Sequence, residues 1–436
     1  MNQSIHQTSK KPTICLVDYF SLAGSIERLL EIARGDFDYL FIISMRSPWD
    51  ASTVQYLEQH GMPVLMLDAV VADPSLVAHC AGITSIGDIT LRETSRIAEA
   101  AGIAHYHSPE VADRISSKSQ QRRAFAEHGV RQPQWCEVDL SSPSWKSTIP
   151  ASLAAVPFIA KPVRGSGSAG VTFIPSLDEA TELLAGAEGL WVFEEEIVGV
   201  PNPSGEWLGD HLSVQTITFN GEHQLIGVMD KPPHAPPYRA TGDVVPSVLP
   251  EELRKECERV ALAAVDALGI RYGWSHTELK LAANGPNVLE VNGRMSLTAD
   301  DACARMYHSS PLCSWFDVAL GVRPKVKEFE YGGKIICQYI VQAPGKPVDP
   351  DAVRRIISEL ESQPEVFKVH QLSLDHLRGN SKPITINSVM TVWMEAVDAD
   401  DLRLALGKVN GLLRTVGLCE WTDPNVSKAS SQTGRG

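Results

Sequence analysis

The most informative stretch of the chain is HTELKLAANGPNVLEVNGRMS, residues 276–296. Asn284-Gly285-Pro286 marks a turn between two strands in which apolar and polar residues alternate. With the loop running from Ala282 to Pro286, Glu278 lies across from Glu290, and His276 across from Asn292. Leu279, Leu281, Leu289 and Val291 then share the opposite face, and burying that face fixes the register. Carboxylates placed opposite each other repel, so the pair calls for a cation between them. Two carboxylates and an Asn amide are all-oxygen ligands, which suit Mg²⁺ or Mn²⁺ and not zinc. Glu278, Glu290 and Asn292 are therefore the expected metal ligands. Arg294, two residues further on, is placed to stabilise negative charge on a transferring phosphoryl group or a tetrahedral intermediate. The competing reading is a surface hairpin with solvated charges, and an upstream motif argues against it.

That motif is AKPVRGSGSAGVTFI, residues 160–174, with the spacing Gly165-x-Gly167-x-x-Gly170. The spacing alone is weak, because dinucleotide folds, kinases and plain turns share it. A dinucleotide loop needs a strand before it and a helix after it. Here PFIAK precedes and VTFIP follows, both strand-like, and Pro175 stops the sheet. A kinase would also need H-R-D and D-F-G triplets, and neither occurs; nor does a Walker A sequence. The loop is thus expected at the tip of a β-hairpin, able to fold over phosphates and offer its N–H groups through Gly165, Ser166, Gly167 and Ser168. Lys161 on the incoming strand and Arg164 at the loop mouth supply positive charge. A solvated turn with an incidental lysine is the plain alternative.

A lysine-bearing glycine hairpin followed by an E…E-x-N-x-R hairpin resembles the ATP-grasp superfamily, over residues 108 to about 323. The resemblance implies an ATP-grasp fold that uses ATP and Mg²⁺ (or Mn²⁺). SPEVADRISSKSQQRRAFAEHGVRQP (108–133) looks like the segment carrying a first nucleotide lysine, Lys118, with Lys161 as the second. FEEEIVG (193–199) fits the adenine hinge, which makes Glu194, Glu195, Glu196 and Ile197 nucleotide candidates; which glutamate meets the ribose stays open. DHLSVQ (210–215) resembles the following strand, with His211 or Ser213 facing the cleft. Within the superfamily, the chain is most similar to L-amino acid ligases that make dipeptides, through the DKPP stretch, the G-D-x-x-P-S turn (242–247) and the E-x-N-x-R end. That resemblance implies small-molecule partners, a carboxylate and an amine of the amino-acid class, joined through an acyl phosphate. It implies Glu278, Glu290 and Asn292 at the metals and Arg294 at the tetrahedral intermediate. A homodimer is common among such enzymes.

KPPHAPPYRATGD (231–243) is too rich in proline for regular structure and reads as a loop over a site. Lys231, His234, Tyr238 and Arg239 are candidate substrate contacts there. Ser296 and Thr298 are candidates for an acceptor pocket; Asp300 and Asp301 fit either that pocket or a helix N-terminus. His105, His107 and the tryptophans read as packing residues.

Around these motifs the chain divides into three expected units. Residues 1–110 form a parallel α/β domain, with strands TICLVD (13–18), YLFIIS (39–44) and PVLMLD (63–68). Ile26, Leu29, Leu30 and Ala33 are spaced as in a helix, and a later helix carries Asp88, Leu91, Ile97 and Ala98. Residues 111–330 form the nucleotide-binding and catalytic domain, with a lid at about 113–195 and a helix from Pro250 that stops at Gly269. Residues 331–436 form a β-α-β-β-α-β segment of split βαβ type with strands 334–341, 366–372, 384–397 and 415–421, helices 350–361 and 399–413, and a disordered tail. The fold class is α/β and α+β.

Composition narrows the functional classes. The 436 residues carry a formal net charge of −14, which repels nucleic-acid backbones but leaves room for a nucleotide in a cationic cleft. No apolar run spans a membrane, and the polar N-terminus lacks a signal-peptide core. The eight cysteines form no C-x-x-C pair, which fits reduced thiols in the cytoplasm. Rival readings are another reaction on the same fold, such as a carboxylation, and a nucleotide-binding regulatory module without turnover.

Overall fold

A computed structural model of the chain describes residues 11–18, 29, 31–32, 36–46, 50–236, 238–296, 298–307, 310–330, 332–344, 346–374, 377 and 388–418. Three sheets organise them. The first is parallel, in the order β3-β2-β1-β4, from β1 (Thr13–Val17), β2 (Asp38–Ile43), β3 (Val64–Met66) and β4 (Gly82–Ser85). Its central strands are buried on both faces, which is why they read as unbroken apolar runs. The strand expected at 63–68 ends at Met66, because Leu67 and Val70 are buried at helical spacing and start the helix Leu67–Ala72. Asp88 lies in the turn before the helix Leu91–Ala101 and not within it.

The second sheet is antiparallel and forms the lid. Its order is β5-β8-β6-β7, from β5 (Trp135–Asp139), β6 (Phe158–Pro162), β7 (Thr172–Ile174) and β8 (Leu190–Glu195). Phe158 stacks on Phe193 at 4.9 Å in its small core. β6 and β7 are the arms of the glycine hairpin, with Phe158 opposite Ile174.

The third sheet has eight antiparallel strands in the order β13-β12-β9-β10-β11-β14-β16-β15. These are β9 (His211–Phe219), β10 (Glu222–Asp230), β11 (Gly242–Val245), β12 (Tyr272–Ala282), β13 (Gly285–Asn292), β14 (Ile335–Gln342), β15 (Val366–Gln371) and β16 (Ser388–Ala396). The helix Glu251–Ala267 packs on one face, burying Cys257, Val260, Ala261 and Ala264 against Leu279, Leu281, Val288 and Val291. β13 is an edge strand, and the helix Lys118–Glu127 covers it. Gln121 bonds both the N–H and the carbonyl of Val291, and Arg122 donates to the carbonyls of Val288 and Leu289.

The hairpin register is the expected one at its chemical end: Glu278 faces Glu290 and His276 faces Asn292. Nearer the turn a bulge shifts it, and Leu279 faces Val288. Val288 therefore takes the core position expected for Leu289, and Leu289 turns toward the cleft.

β14, β15 and β16 extend the same eight-stranded sheet through β11. The helices Pro350–Glu361 and Ala399–Thr415 cover this end. The last helix takes up Thr415, and Gly417 follows it at a φ of 76°, so residues 415–418 form no strand. Ile26, Leu30, Ala33, residues 384–387 and everything from Cys419 onward lie outside the described residues. Among the described residues, no helix is long and apolar enough to cross a membrane.

Candidate active site

The face of the large sheet opposite the helix Glu251–Ala267 changes chemistry along its strands. Cross-strand pairs run from Trp274–Ile217 through His276–Gln215 and Glu278–Ser213 to Lys280–His211. Trp274 and Ile217 join an apolar core with Phe316. His276, Glu278, Lys280 and His211 of the following pairs floor a cavity of about 390 Å³, which the lid sheet and Lys231, His234, Tyr238 and Ala240 also line. All the expected nucleotide, metal and catalytic residues line it, together with Lys231, Ser296 and Thr298.

At the lid end, charge is tightly matched. Glu194 on β8 is buried between Arg122, at 2.7 Å, and Lys161 on β6, at 2.8 Å. Burial alone would raise the Glu194 carboxyl, but the two cations outweigh it and hold it at about 2. Burial likewise pulls the Lys161 ammonium down, and Glu194 opposes that shift. This carboxylate is committed to the clamp, which leaves Glu195 and Glu196 as the hinge acids without a salt bridge among the described residues.

Lys118 begins the helix Lys118–Glu127, whose N-cap Ser117 accepts from the Gln120 N–H. Its Nζ donates at 3.0 Å to both Glu290 Oε1 and the Gly165 carbonyl. One ammonium thus joins the acidic hairpin to the glycine hairpin. The glycine loop itself takes left-handed backbone at Gly167, Ser168 and Gly170.

Glu278 is 37% exposed, toward the cavity, and accepts from His276 Nε2 at 3.3 Å. Burial works against its charge, but the His276 bond and the cations Lys231 and Arg294 hold it well below the usual carboxylate range. With Glu290 and Asn292 it forms an all-oxygen set of two carboxylates and an amide. Among the described residues no cluster of three His, Cys, Asp or Glu side chains converges on a metal position. That donor set fits Mg²⁺ or Mn²⁺ shared with nucleotide phosphates and does not fit a closed protein cage.

Arg294 is held by a residue of the turn that follows β4. Its Nε and Nη2 donate to Asp88 Oδ2 at 2.9 and 2.8 Å, and Nη1 donates to the Met295 carbonyl at 3.2 Å. The guanidinium is thereby fixed facing the cavity with donors to spare.

The far end is also paired. Lys231 bonds Asp243 at 2.6 Å, and the Thr298 hydroxyl lies 2.6 Å from both Asp243 Oδ2 and Gln338 Oε1. Burial would raise Asp243, but Lys231 and Thr298 hold it low. His234 of the loop stacks on His211 at 3.5 Å, and burial keeps both rings below their ordinary pKa. Ser168 in the glycine hairpin donates to the Tyr238 carbonyl at 2.8 Å, so the lid and the loop touch across the cleft mouth. The loop ends earlier than expected, because Gly242 and Asp243 enter β11.

The remaining candidates do other work. Arg164 reaches the Ser116 carbonyl and Asp113 outside the cavity, Arg239 donates to the Ala343 carbonyl, and Ser213 accepts from Gln215. Asp300 accepts from Ser310 and Asp301 pairs with Lys368; both lie in the first turn of the helix Ala299–Tyr307 and neither lines the cavity. His107 is a buried packing residue facing the Gly293 carbonyl, as expected. Sequence reasoning passed over Asp88, Asp243, Gln338 and Thr391, which also line the cavity. A signal existed for Asp88: it follows the carboxyl end of a parallel strand, where ligands gather in open α/β sheets.

Residues 115–298 match the ATP-grasp domain family. The chain is 26% identical over 210 residues to the alanine–anticapsin ligase of Bacillus subtilis, covering 43% of either chain. The first curated relatives are matched over only 52%, 20% and 43% of their own length. Among solved structures, an L-amino acid ligase from Bacillus licheniformis superposes with a TM-score of 0.71 at 18% identity, over 93% of this chain and 98% of that one. A carboxyaminoimidazole ribonucleotide synthase from Aspergillus clavatus, complexed with ATP, also gives 0.71, at 14% identity over 93% and 99%. These likenesses establish the ATP-grasp fold.

Proposed function

We propose that this chain, whose residues 115–298 carry an ATP-grasp domain, is an ADP-forming ligase that joins a carboxylate to an amine, both of the amino-acid class. The observation that carries the reading is the convergence of three features on one cavity: facing Glu278 and Glu290, the lysines Lys118 and Lys161 beneath a glycine hairpin, and Arg294 beside them. The similarity to alanine–anticapsin ligase supports the amine-ligating version.

A carboxylate resists attack because it is already anionic. Transfer of the γ-phosphoryl group of ATP to its oxygen gives an acyl phosphate and ADP. The amine then attacks the carbonyl carbon, and the C–O bond to phosphate breaks, leaving amide and inorganic phosphate. Lys161 and Lys118 sit where phosphate charge must be balanced, and Mg²⁺ between Glu278 and Glu290 would neutralise the rest. The hinge Glu195–Ile197 offers its backbone to the adenine. The spare donors of Arg294 face the site of the tetrahedral intermediate. The Ser168–Tyr238 contact closes lid against loop and keeps water from the acyl phosphate.

The test is phosphate release from ATP and Mg²⁺ with an amino-acid panel. Stimulation by pairs of amino acids supports the reading, and no stimulation by any pair opposes it. The carboxyaminoimidazole ribonucleotide synthase fold match favours one second reading, a carboxylation. Stimulation by bicarbonate, and by no amino-acid pair, would select it.

A further inference from the structure

One chain of hydrogen bonds under the cleft ends on a proposed metal ligand. The Trp274 Nε1–H donates to Gln215 Oε1 at 3.1 Å. Gln215 Nε2 lies 2.8 Å from His276 Nδ1 and 3.2 Å from Ser213 Oγ. His276 Nε2 lies 3.3 Å from Glu278 Oε1. Trp274 and Gln215 are fully buried and His276 nearly so.

The direction of every bond in this chain follows from its ends. An indole nitrogen can only donate, so the Gln215 atom facing it is the oxygen. The other Gln215 atom is then the amide nitrogen, which can only donate. His276 Nδ1 must therefore accept, and a neutral ring carries its proton on Nε2. That proton points at Glu278, whose carboxylate can only accept. A ring protonated on Nδ1 would set two donors face to face between β9 and β12.

We propose that His276 is a positioning residue, locked by Gln215 as its Nε2–H tautomer so that it aims the Glu278 carboxylate at the cation held with the nucleotide. Glu278 and Glu290 then each receive one hydrogen bond, from His276 and from Lys118, and each keeps lone pairs for the cation. Groups that orient metal-binding side chains typically matter about 10- to 100-fold in metal affinity. The inference rests on the metal reading of the site above and needs no knowledge of which amide is made.

Two measurements test it, with folding of each variant checked by circular dichroism. Nitrogen NMR of the metal-free protein, labelled in histidine, is expected to show His276 protonated on Nε2 and bare at Nδ1. Gln215→Leu is expected to mix the tautomers. A wild-type ring protonated on Nδ1 overturns the proposal. In the second, Mn²⁺ binding with a non-hydrolysable ATP analogue is read by electron paramagnetic resonance. His276→Ala should bind about 10- to 100-fold more weakly, and His276→Gln, which keeps a terminal N–H donor, should recover part of the loss. His276→Ala binding as tightly as wild type overturns it. Wild-type protein that binds no Mn²⁺ removes both the metal reading and this one. Normal binding without ligation removes only the reaction and leaves this inference standing.

Discussion

The lid end and the far end of the cleft are each held by buried ion pairs, Glu194 with Arg122 and Lys161 at one and Asp243 with Lys231 at the other, yet they are assembled in different ways. At the lid end Lys161, Glu194, Glu278 and Glu290 sit at fixed register on regular strands, and one helix supplies Lys118 and Arg122. At the far end Lys231, Asp243, Thr298 and Gln338 come from a loop, two strands and the approach to a helix. The first arrangement is dictated by sheet geometry, and the second by where the chain returns. Common phosphate chemistry fits the rigid end, and substrate choice fits the end whose parts can be exchanged separately.

The largest expected effect falls on the lid end. Glu194→Gln leaves Arg122 and Lys161 buried without their counter-charge, at a cost of about 3–5 kcal/mol in stability, read by urea denaturation. Because Glu194 is held at about 2, against about 4.3 when unfolded, its contribution is complete above the higher value and lost as pH falls toward the lower. The wild type should therefore weaken through that acidic window, and the variant should lack this component. Unchanged stability would break the picture of a rigid clamp.

Next comes the junction of the two ends. Arg294→Ala should lower kcat by about 10²–10³-fold, the scale for removing one preorganised donor to a developing charge, with KM for ATP little changed. Asp88→Asn should give a smaller loss of the same kind, because the guanidinium stays but is no longer aimed.

Effects at the far end should be more modest and should change selectivity. Thr298→Val removes the hydroxyl between Asp243 and Gln338, and should shift the kcat/KM ratio of two competing amino acids by about 1–3 kcal/mol. KM for ATP should stay put, and a change there would deny that the ends are separate. Ser168→Ala, which unties lid from loop, should cost about 0.5–1.5 kcal/mol in closure and appear as more ATP hydrolysed per amide formed.

The same contrast explains what the sequence discloses. Period-two alternation with one buried face gives the Glu278–Glu290 pairing without a structure, because a one-residue slip would expose Leu279 and Leu281. It does not disclose the bulge that swaps Val288 for Leu289, since Arg122, which donates to the Val288 and Leu289 carbonyls, comes from a helix well over a hundred residues away in sequence. Glu194 reads as one acid among three in a hinge until the two cations beside it are seen. Asp88 carries no motif of its own, and the G-D-x-x-P-S turn does not mark its Asp243 as a partner of Lys231; only folding brings the turn after β4 to Arg294 and β11 to Lys231. Strand ends defined by a few apolar residues, as at Met66 and Thr415, depend on packing partners that local pattern does not name.

In the proposed reaction a carboxylate oxygen is phosphorylated at the junction of the two ends. Incubation with ATP, Mg²⁺ and a pool of amino acids labelled with ¹⁸O in their carboxyl groups tests it, with products read by mass spectrometry. The expected products are ADP, a new amide and inorganic phosphate carrying one ¹⁸O taken from the carboxylate. Amide formation with unlabelled phosphate, or with AMP and pyrophosphate as products, would contradict it.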